Sequence, residues 1–358
     1  LAEIDAALAP LRERVATLPP QDAATAAWIS KLVGRDVAPG SGATLALERD
    51  AALADAVISL RLAHDDAAKA QLRAAAAAST DAHIAGMRAT KTATTEAEVL
   101  GAMLGVLRAR GMDDAYGPIV SVRGEILHNA RHDGALSPGD LLLCDVGGES
   151  PEGWASDITR TWPTSGAFSA SQRAIYDIVL AANRAAIARV RPGTRYRDVH
   201  ETAKRVLVEG LVHLGIFKGS VDGLLERGAA ALFFPHGVGH LLGLDVHDME
   251  DLGDRAGYAP GRTRSPRFGD RYLRLDRDLA VGMAVTIEPG FYQVPGILED
   301  AALTGPLGAD LDRAALAKYS DVRGIRIEDD VLCTDGEPEV MTHACPKDAV
   351  EIEATIRG

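Results

Sequence analysis

The chain has 358 residues, enough for one large domain or two ordinary ones with an ample buried core. Hydrophobic residues at 47% and charged residues at 25% give the balance of an ordinary globular protein. A net charge of −13 argues against nucleic acid and anionic membranes as partners, because both repel an acidic surface.

No apolar run approaches ~18 residues, so no membrane span is expected. The opening Leu1-Ala2-Glu3-Ile4-Asp5 has neither a basic region nor an apolar core, so no signal peptide is expected. Cys144, Cys333 and Cys345 are too few and too scattered for a disulfide framework. Reduced, buried cysteines fit a cytoplasmic setting.

Residues 1 to about 64 read as short helical pieces, interrupted at Pro19-Pro20 and at Pro39-Gly40-Ser41-Gly42. From Asp65 an Ala-rich helix runs to about Ala89, with Asp65 or Asp66 as its N-cap. A second helix spans Glu96 to Gly111. Strands then dominate. Ile119–Val122 is short and β-branched, and the turn Ser137-Pro138-Gly139-Asp140 leads into the apolar run Leu141–Val146. A long loop joins that run to a partner strand, Trp154–Trp162, as a β-hairpin. Ser169 and Gln172 form a capping box for the next helix, which Pro192-Gly193 ends. Another helix covers Tyr196–Leu214, and later strands span Ala284–Tyr292 and Gly324–Cys333.

The order of two helices, strands and a helix thus occurs twice, and Thr95–Val99 and Arg195–Val199 stand at matching places. A duplicated α+β unit would put a site between its halves, where pockets commonly lie.

Acidic residues within strands are the informative anomaly. Asp145 follows four apolar residues, Glu288 sits in Ala-Val-Thr-Ile-Glu-Pro, and Glu328 sits in Gly-Ile-Arg-Ile-Glu. Burying an unpartnered carboxylate is costly, so burial alone would not select them. One such residue is ordinarily a strand end touching solvent or an arginine. Several beside the cluster of His236, His240 and His247 point elsewhere. Gly237 stands where a HExxH motif needs its glutamate, Gly237, Gly239 and Gly243 miss the dinucleotide spacing, and no GxSxG elbow occurs. Four carboxylates and an imidazole form an oxygen-rich donor set that suits Mn²⁺, Co²⁺ or Zn²⁺.

Asp145-Val-Gly, Ser156-Asp157-Ile-Thr-Arg-Thr, His236-Gly-Val-Gly-His240, Glu288-Pro-Gly and Arg326-Ile-Glu328-Asp together resemble the proline-specific metallopeptidases of the pita-bread fold. These are the Xaa-Pro dipeptidases (prolidases) and aminopeptidases P, and the resemblance runs from roughly Asp65 to Cys345. It implies an α+β pita-bread catalytic domain over 65–358, behind a short or truncated N-terminal region over 1–64. It implies two divalent metal ions, usually Mn²⁺, on Asp145, Asp157, His240, Glu288 and Glu328, with Asp145 and Glu328 bridging. By the same resemblance Glu288 moves the proton, His236 and His247 contact substrate and support the oxyanion, and His128 lines the proline side. Arg326 is implied beside the last glutamate, where it would orient ligands and count among the substrate-binding residues, and a homodimer is the implied assembly.

The segment Asp251–Asp278 holds seven arginines and five aspartates, and most of these are expected to be solvated. Arg274 falls where prolidases grip the substrate's C-terminal carboxylate, a planar contact that suits a guanidinium. This favours a dipeptidase over an aminopeptidase P, which must leave room for the chain to continue. Methionine aminopeptidase shares the fold, but it usually reads His-Glu-x-Pro where this chain has His247-Asp248-Met249-Glu250. Metal-free creatinase does not fit a full ligand set. A non-enzymatic binding module on the same fold is the alternative from another class, and such relatives generally lose ligands.

Overall fold

The computed structural model describes residues 2–40, 45 and 47–358. Ser41 and Gly42 of the expected break lie outside the described residues. Helices α1 (Ala2–Leu8), α2 (Ala23–Val33) and α3 (Glu48–Arg61) form the leading region. Asp22 caps α2 by accepting from the N–H groups of Ala24 and Thr25.

The rest is two similar units. The first has α4 (Asp66–Thr90) and α5 (Glu96–Ala109), then β1 (Asp113–Asp114), β2 (Ile119–Ser121), β3 (Leu141–Asp145), β4 (Gly148–Glu149) and β5 (Thr159–Pro163). The second has α6 (Ala170–Ala188) and α7 (Tyr196–His213), then β6 (Ala284–Ile287), β7 (Gly290–Tyr292), β8 (Gly324–Arg326), β9 (Asp329–Leu332) and β10 (Glu339–Val340), before a last helix, Ala349–Arg357. Asp65 caps α4, Thr95 caps α5, and Ser169 with Gln172 makes the full capping box of α6.

Matching backbone bonds make the duplication concrete. Glu96 N–H donates to Gly134 and Leu136 N–H to Thr94; likewise Tyr196 N–H donates to Arg277 and Leu279 N–H to Thr194. Gly139 and Gly282 both turn the chain with φ near +95° (95° and 94°) just before the first long strand of each unit. The same sequence offset that relates Gly139 to Gly282 relates Asp145 to Glu288.

Two antiparallel three-stranded sheets, ordered β2-β3-β5 and β10-β9-β6, form the centre, with β7-β8 as a separate pair. Here the structure corrects the expected strand bounds. Ala284–Tyr292 and Gly324–Cys333 are each two short strands, broken at Glu288-Pro289 and at Ile327-Glu328. The two segments keep one antiparallel register on either side, Ile287 opposite Asp329 and Gly290 opposite Arg326. At the glutamates the N–H groups turn outward, Glu288 to Val238 and Glu328 to Thr159, so the direct ladder lapses there. The long hairpin is shorter than expected, because before Ile158 the chain leaves β3: Ala155 N–H goes to Gly243 and Ser156 N–H to Gly148.

Helices cover the outer faces. Trp162, Met87 and Met103 are fully buried between α4, α5 and the first sheet, while Ile175, Val179, Tyr196 and Val199 fill the second unit. Among the described residues no helix is long and apolar enough to cross a membrane. The centre also holds an ion pair with no exposure on either side: Arg160 Nη2 lies 2.8 Å from Asp329 Oδ1. Asp329 accepts from Thr342 and Lys347 as well, and Arg160 donates to the carbonyls of Glu328 and Cys345. Removing one partner of such a pair strands a buried charge. Asp329→Ala should therefore cost about 3–5 kcal/mol, read as a lowered denaturant midpoint; a loss under ~1 kcal/mol would contradict the role given to this pair.

Candidate metal centre

Each acidic side chain of the site is delivered by a chain break or strand end. Asp145 ends β3, Asp157 precedes β5, Glu288 sits between β6 and β7, and Glu328 between β8 and β9. His240 comes from the glycine-rich loop laid along β6, where Glu288 N–H bonds Val238 and Thr286 N–H bonds His240. Gly239 permits that approach. Its φ is +153°, and a Cβ there would stand 2.1 Å from the Thr286 carbonyl oxygen.

All ten residues singled out from the sequence line one cavity of about 690 Å³. Asp145, Asp157, His240, Glu288 and Glu328 cluster at its floor. Asp157, His240 and Glu328 each offer a donor atom within 4.8 Å of the others. His240 Nε2 is 3.4 Å from Asp157 Oδ2 and 4.0 Å from Glu288 Oε1. Its Nδ1 lies 2.9 Å from the Leu241 carbonyl, which fixes a proton there and leaves the Nε2 lone pair facing the carboxylates.

The donor set fits divalent cations. Glu328 accepts from Thr159 through Oε2 at 2.7 Å, yet its buried Oε1 has no hydrogen-bond partner. An orphaned buried carboxylate oxygen is costly unless something positive meets it. The only cationic side chain against the cluster among the described residues is Arg326, which bonds Asp145 and Thr159 and reaches Tyr292 Oη at 3.1 Å. One guanidinium cannot offset four carboxylates.

Protonation reflects that imbalance. Burial pushes the Glu288 carboxyl up to about 8, with Asp157 and Asp145 reinforcing it against Arg326. Burial and the Asp157 charge likewise raise Asp145 to about 6, against Arg326. Glu328 is pushed well up by burial and its acidic neighbours.

The histidines divide by partner. His236 is held through Nε2 by Tyr292 Oη at 2.9 Å and through Nδ1 by the Gly237 carbonyl at 2.8 Å, with Glu288 Oε2 3.6 Å away. Burial and Arg326 keep it neutral. His247 stands edge-on to His240 with ring centroids 4.4 Å apart, and its Nδ1 lies 2.9 Å from Glu250 Oε2. His128 lies across the cavity, its pKa lowered by burial and by Arg326 and Arg274. Arg274 sits on the rim against Glu250 and His247.

Sequence reading passed over Tyr116, Tyr292 and Glu250. Tyr116 Oη is 2.6 Å from both Asp145 Oδ1 and Asp157 Oδ1, although a phenol donates to only one at a time. Nothing in Asp113-Asp114-Ala115-Tyr116 signals this, because the contacts are made across the fold.

The model of metallopeptidase family M24 matches residues 70–335. The chain belongs to this family. It is 40% identical over 229 residues to the Xaa-Pro dipeptidase of Homo sapiens, covering 64% of this chain and 45% of that protein. A probable Xaa-Pro aminopeptidase of Talaromyces marneffei is 39% identical over 266 residues, covering 72% and 55%. Among solved structures, a substrate complex of an Escherichia coli aminopeptidase P variant has a TM-score of 0.78 at 31% identity, covering 99% of this chain and 74% of that one. The same enzyme with the inhibitor Pro-Leu has a TM-score of 0.70 at 35% identity, covering 85% and 61%. The M24 chain therefore has the α+β pita-bread fold that the motifs implied, and it spans about half the length of the curated relatives it matches.

A pH test follows from the acidic floor. The folded Glu288 value of about 8 lies above its ordinary 4.5, so this carboxyl binds more protons folded than unfolded between those values in the metal-free protein. The stability it contributes should be lost as pH rises through that window. Cations displace those protons, so the rise in Tm on adding Mn²⁺ should be larger near pH 8 than near pH 5. Equal shifts at both pH values would contradict this reading.

Proposed function

We propose that this protein is a dinuclear-metal peptidase that hydrolyses the bond before proline, in small peptides with proline at the second position. The observation that carries the reading is the five-donor cluster on the floor of a cavity whose rim bears histidines and Arg274. The metal ligands would be Asp145, Asp157, His240, Glu288 and Glu328. Two divalent ions on them would polarise the scissile carbonyl and make water acidic enough to act as a nucleophile near neutral pH. Mn²⁺ is the proposed native ion, by family resemblance, with Zn²⁺ and Co²⁺ as competitors.

The chain's own residues do the rest. Glu288, held ionised once bound cations replace the proton that its burial favours, would take the proton of the attacking water and return it to the leaving proline nitrogen. His247 and His236 support the developing oxyanion, and His128 borders the proline ring. Tyr292 and Arg326 hold His236 and Asp145 in place, so Arg326 acts through other residues rather than on substrate.

A dipeptidase is the first reading, because Arg274 on the rim suits the carboxylate next to proline. An aminopeptidase P acting on longer peptides is the second reading, favoured by the contact that already engages Arg274 with Glu250. A binding module without activity would not keep stoichiometric metal, so metal content separates that class. The division into a leading region, 1–64, and a catalytic domain, 65–358, is proposed on the start of α4 and of the family match. A homodimer in the cytoplasm is proposed on family resemblance and on three free, buried cysteines.

Turnover of Ala-Pro against Ala-Pro-Ala, with metal-stripped protein and Mn²⁺ restored, tests the reading. Cleavage confined to the dipeptide supports a dipeptidase, good cleavage of the tripeptide supports an aminopeptidase P, and metal-dependent cleavage of neither refutes both. Glu288→Ala should abolish turnover and lower metal occupancy with the fold retained; normal turnover in that variant would sink the mechanism.

A further inference from the structure

Three arginines line the cavity among the described residues: Arg264, Arg274 and Arg326. Arg326 is buried and committed to Asp145. Arg264 is committed to Asp254 at 2.7 Å and to the carbonyls of Arg271 and Leu273, with its guanidinium over the Tyr258 ring. That leaves Arg274 to recognise an anionic group on substrate, and its Nη1 is already held by the Glu250 carboxylate.

Glu250 is placed for this by an unusual backbone. Met249, the residue before it, has φ of +58°, the left-handed region that a residue with a Cβ enters at a cost. The short 3-10 turn Glu250–Leu252 follows. Glu250 thereby touches both groups assigned to substrate, with Oε2 2.9 Å from His247 Nδ1 and Oε1 on Arg274. Those two contacts hold its own carboxyl down at about 2, so it is charged at any working pH.

We infer that Glu250 is a specificity-determining residue that occupies Arg274 as a substrate carboxylate would, and so disfavours free Xaa-Pro dipeptides relative to peptides that continue as an amide. The inference rests on the proposed Xaa-Pro site. A dipeptide carboxylate arriving at Arg274 must displace Glu250 or share one guanidinium with a like charge. A substrate whose proline carbonyl continues as a neutral amide meets neither cost. Glu250 also orients His247, but that contact is the same for both substrates, so it cannot alter their ratio.

The probes are Ala-Pro and Ala-Pro-amide, which differ in that single charge, assayed with the Mn²⁺-loaded full chain. Glu250→Gln keeps an acceptor for His247 and removes the negative charge. It should lower KM for Ala-Pro roughly three- to tenfold, the range of a partly exposed charge pair, and leave KM for the amide within about twofold. In an Arg274→Ala background the effect of Glu250→Gln on Ala-Pro should vanish. A parallel change on both substrates, or none on Ala-Pro, overturns the role given to Glu250. If Arg274→Ala alone raises KM for Ala-Pro while Glu250→Gln changes nothing, the clamp stands and only this inference fails. If wild-type protein cleaves neither probe, the proposed function fails and takes the inference with it.

Discussion

Mutual repulsion among four carboxylates gathered at one buried point is the constraint on which the site depends. Asp145, Asp157, Glu288 and Glu328 come from four separate places in the chain, and among the described residues Arg326 is the one buried guanidinium against them, helped by the Tyr116 phenol and by His240 beside Asp157. In a low-dielectric interior that arrangement is unfavourable unless protons or cations intervene. The raised carboxyls of Glu288, Asp145 and Glu328 are the proton answer to the problem. The unpartnered Glu328 Oε1 and the free Nε2 face of His240 point to the cation answer. A fold does not assemble such a cluster for stability. Here the stabilising ion pair lies one residue away, where Asp329 meets Arg160 on the opposite side of the strand.

Strand geometry explains how one segment serves both purposes. Successive side chains in a strand point to opposite faces, so Glu328 reaches the cavity while Asp329 enters the core. The segment β8-β9 runs antiparallel to β6-β7 in one register across both breaks, and at the breaks Glu288 N–H turns to Val238 and Glu328 N–H to Thr159. The two glutamates sit where the ladder between these segments lapses. The equivalent backbone bonds of the two units place Asp145 and Glu288 at corresponding positions, which puts the cluster between them.

Much of this was legible in the sequence, for particular reasons. Asp145 in an apolar run violates burial logic, and the clustered His236, His240 and His247 cannot be explained as core filling. The likeness of Thr95–Val99 to Arg195–Val199 was short, yet both stretches begin the second helix of a unit and bond to the loop that leads into its first long strand. The strand breaks were hidden, because apolar β-branched residues flank both glutamates and local propensity reads straight through them. Tyr116 and Tyr292 were invisible because their contacts are made across the fold, and Glu250 because its pairing with Arg274 is. The rim is likewise a tertiary product: Arg61 of α3 pairs with Asp245 and with the buried Asp248, one residue from His247. Helix α3 therefore braces the loop that carries His247, a link that composition could not reveal.

The central claim is that the acidic floor holds a pair of cations. Anomalous diffraction from Mn²⁺-soaked crystals tests it most directly. The account predicts two peaks roughly 3.5–4 Å apart, both within the ring of Asp145, Asp157, His240, Glu288 and Glu328. A single weak peak, or none among these residues at saturating Mn²⁺, would contradict it.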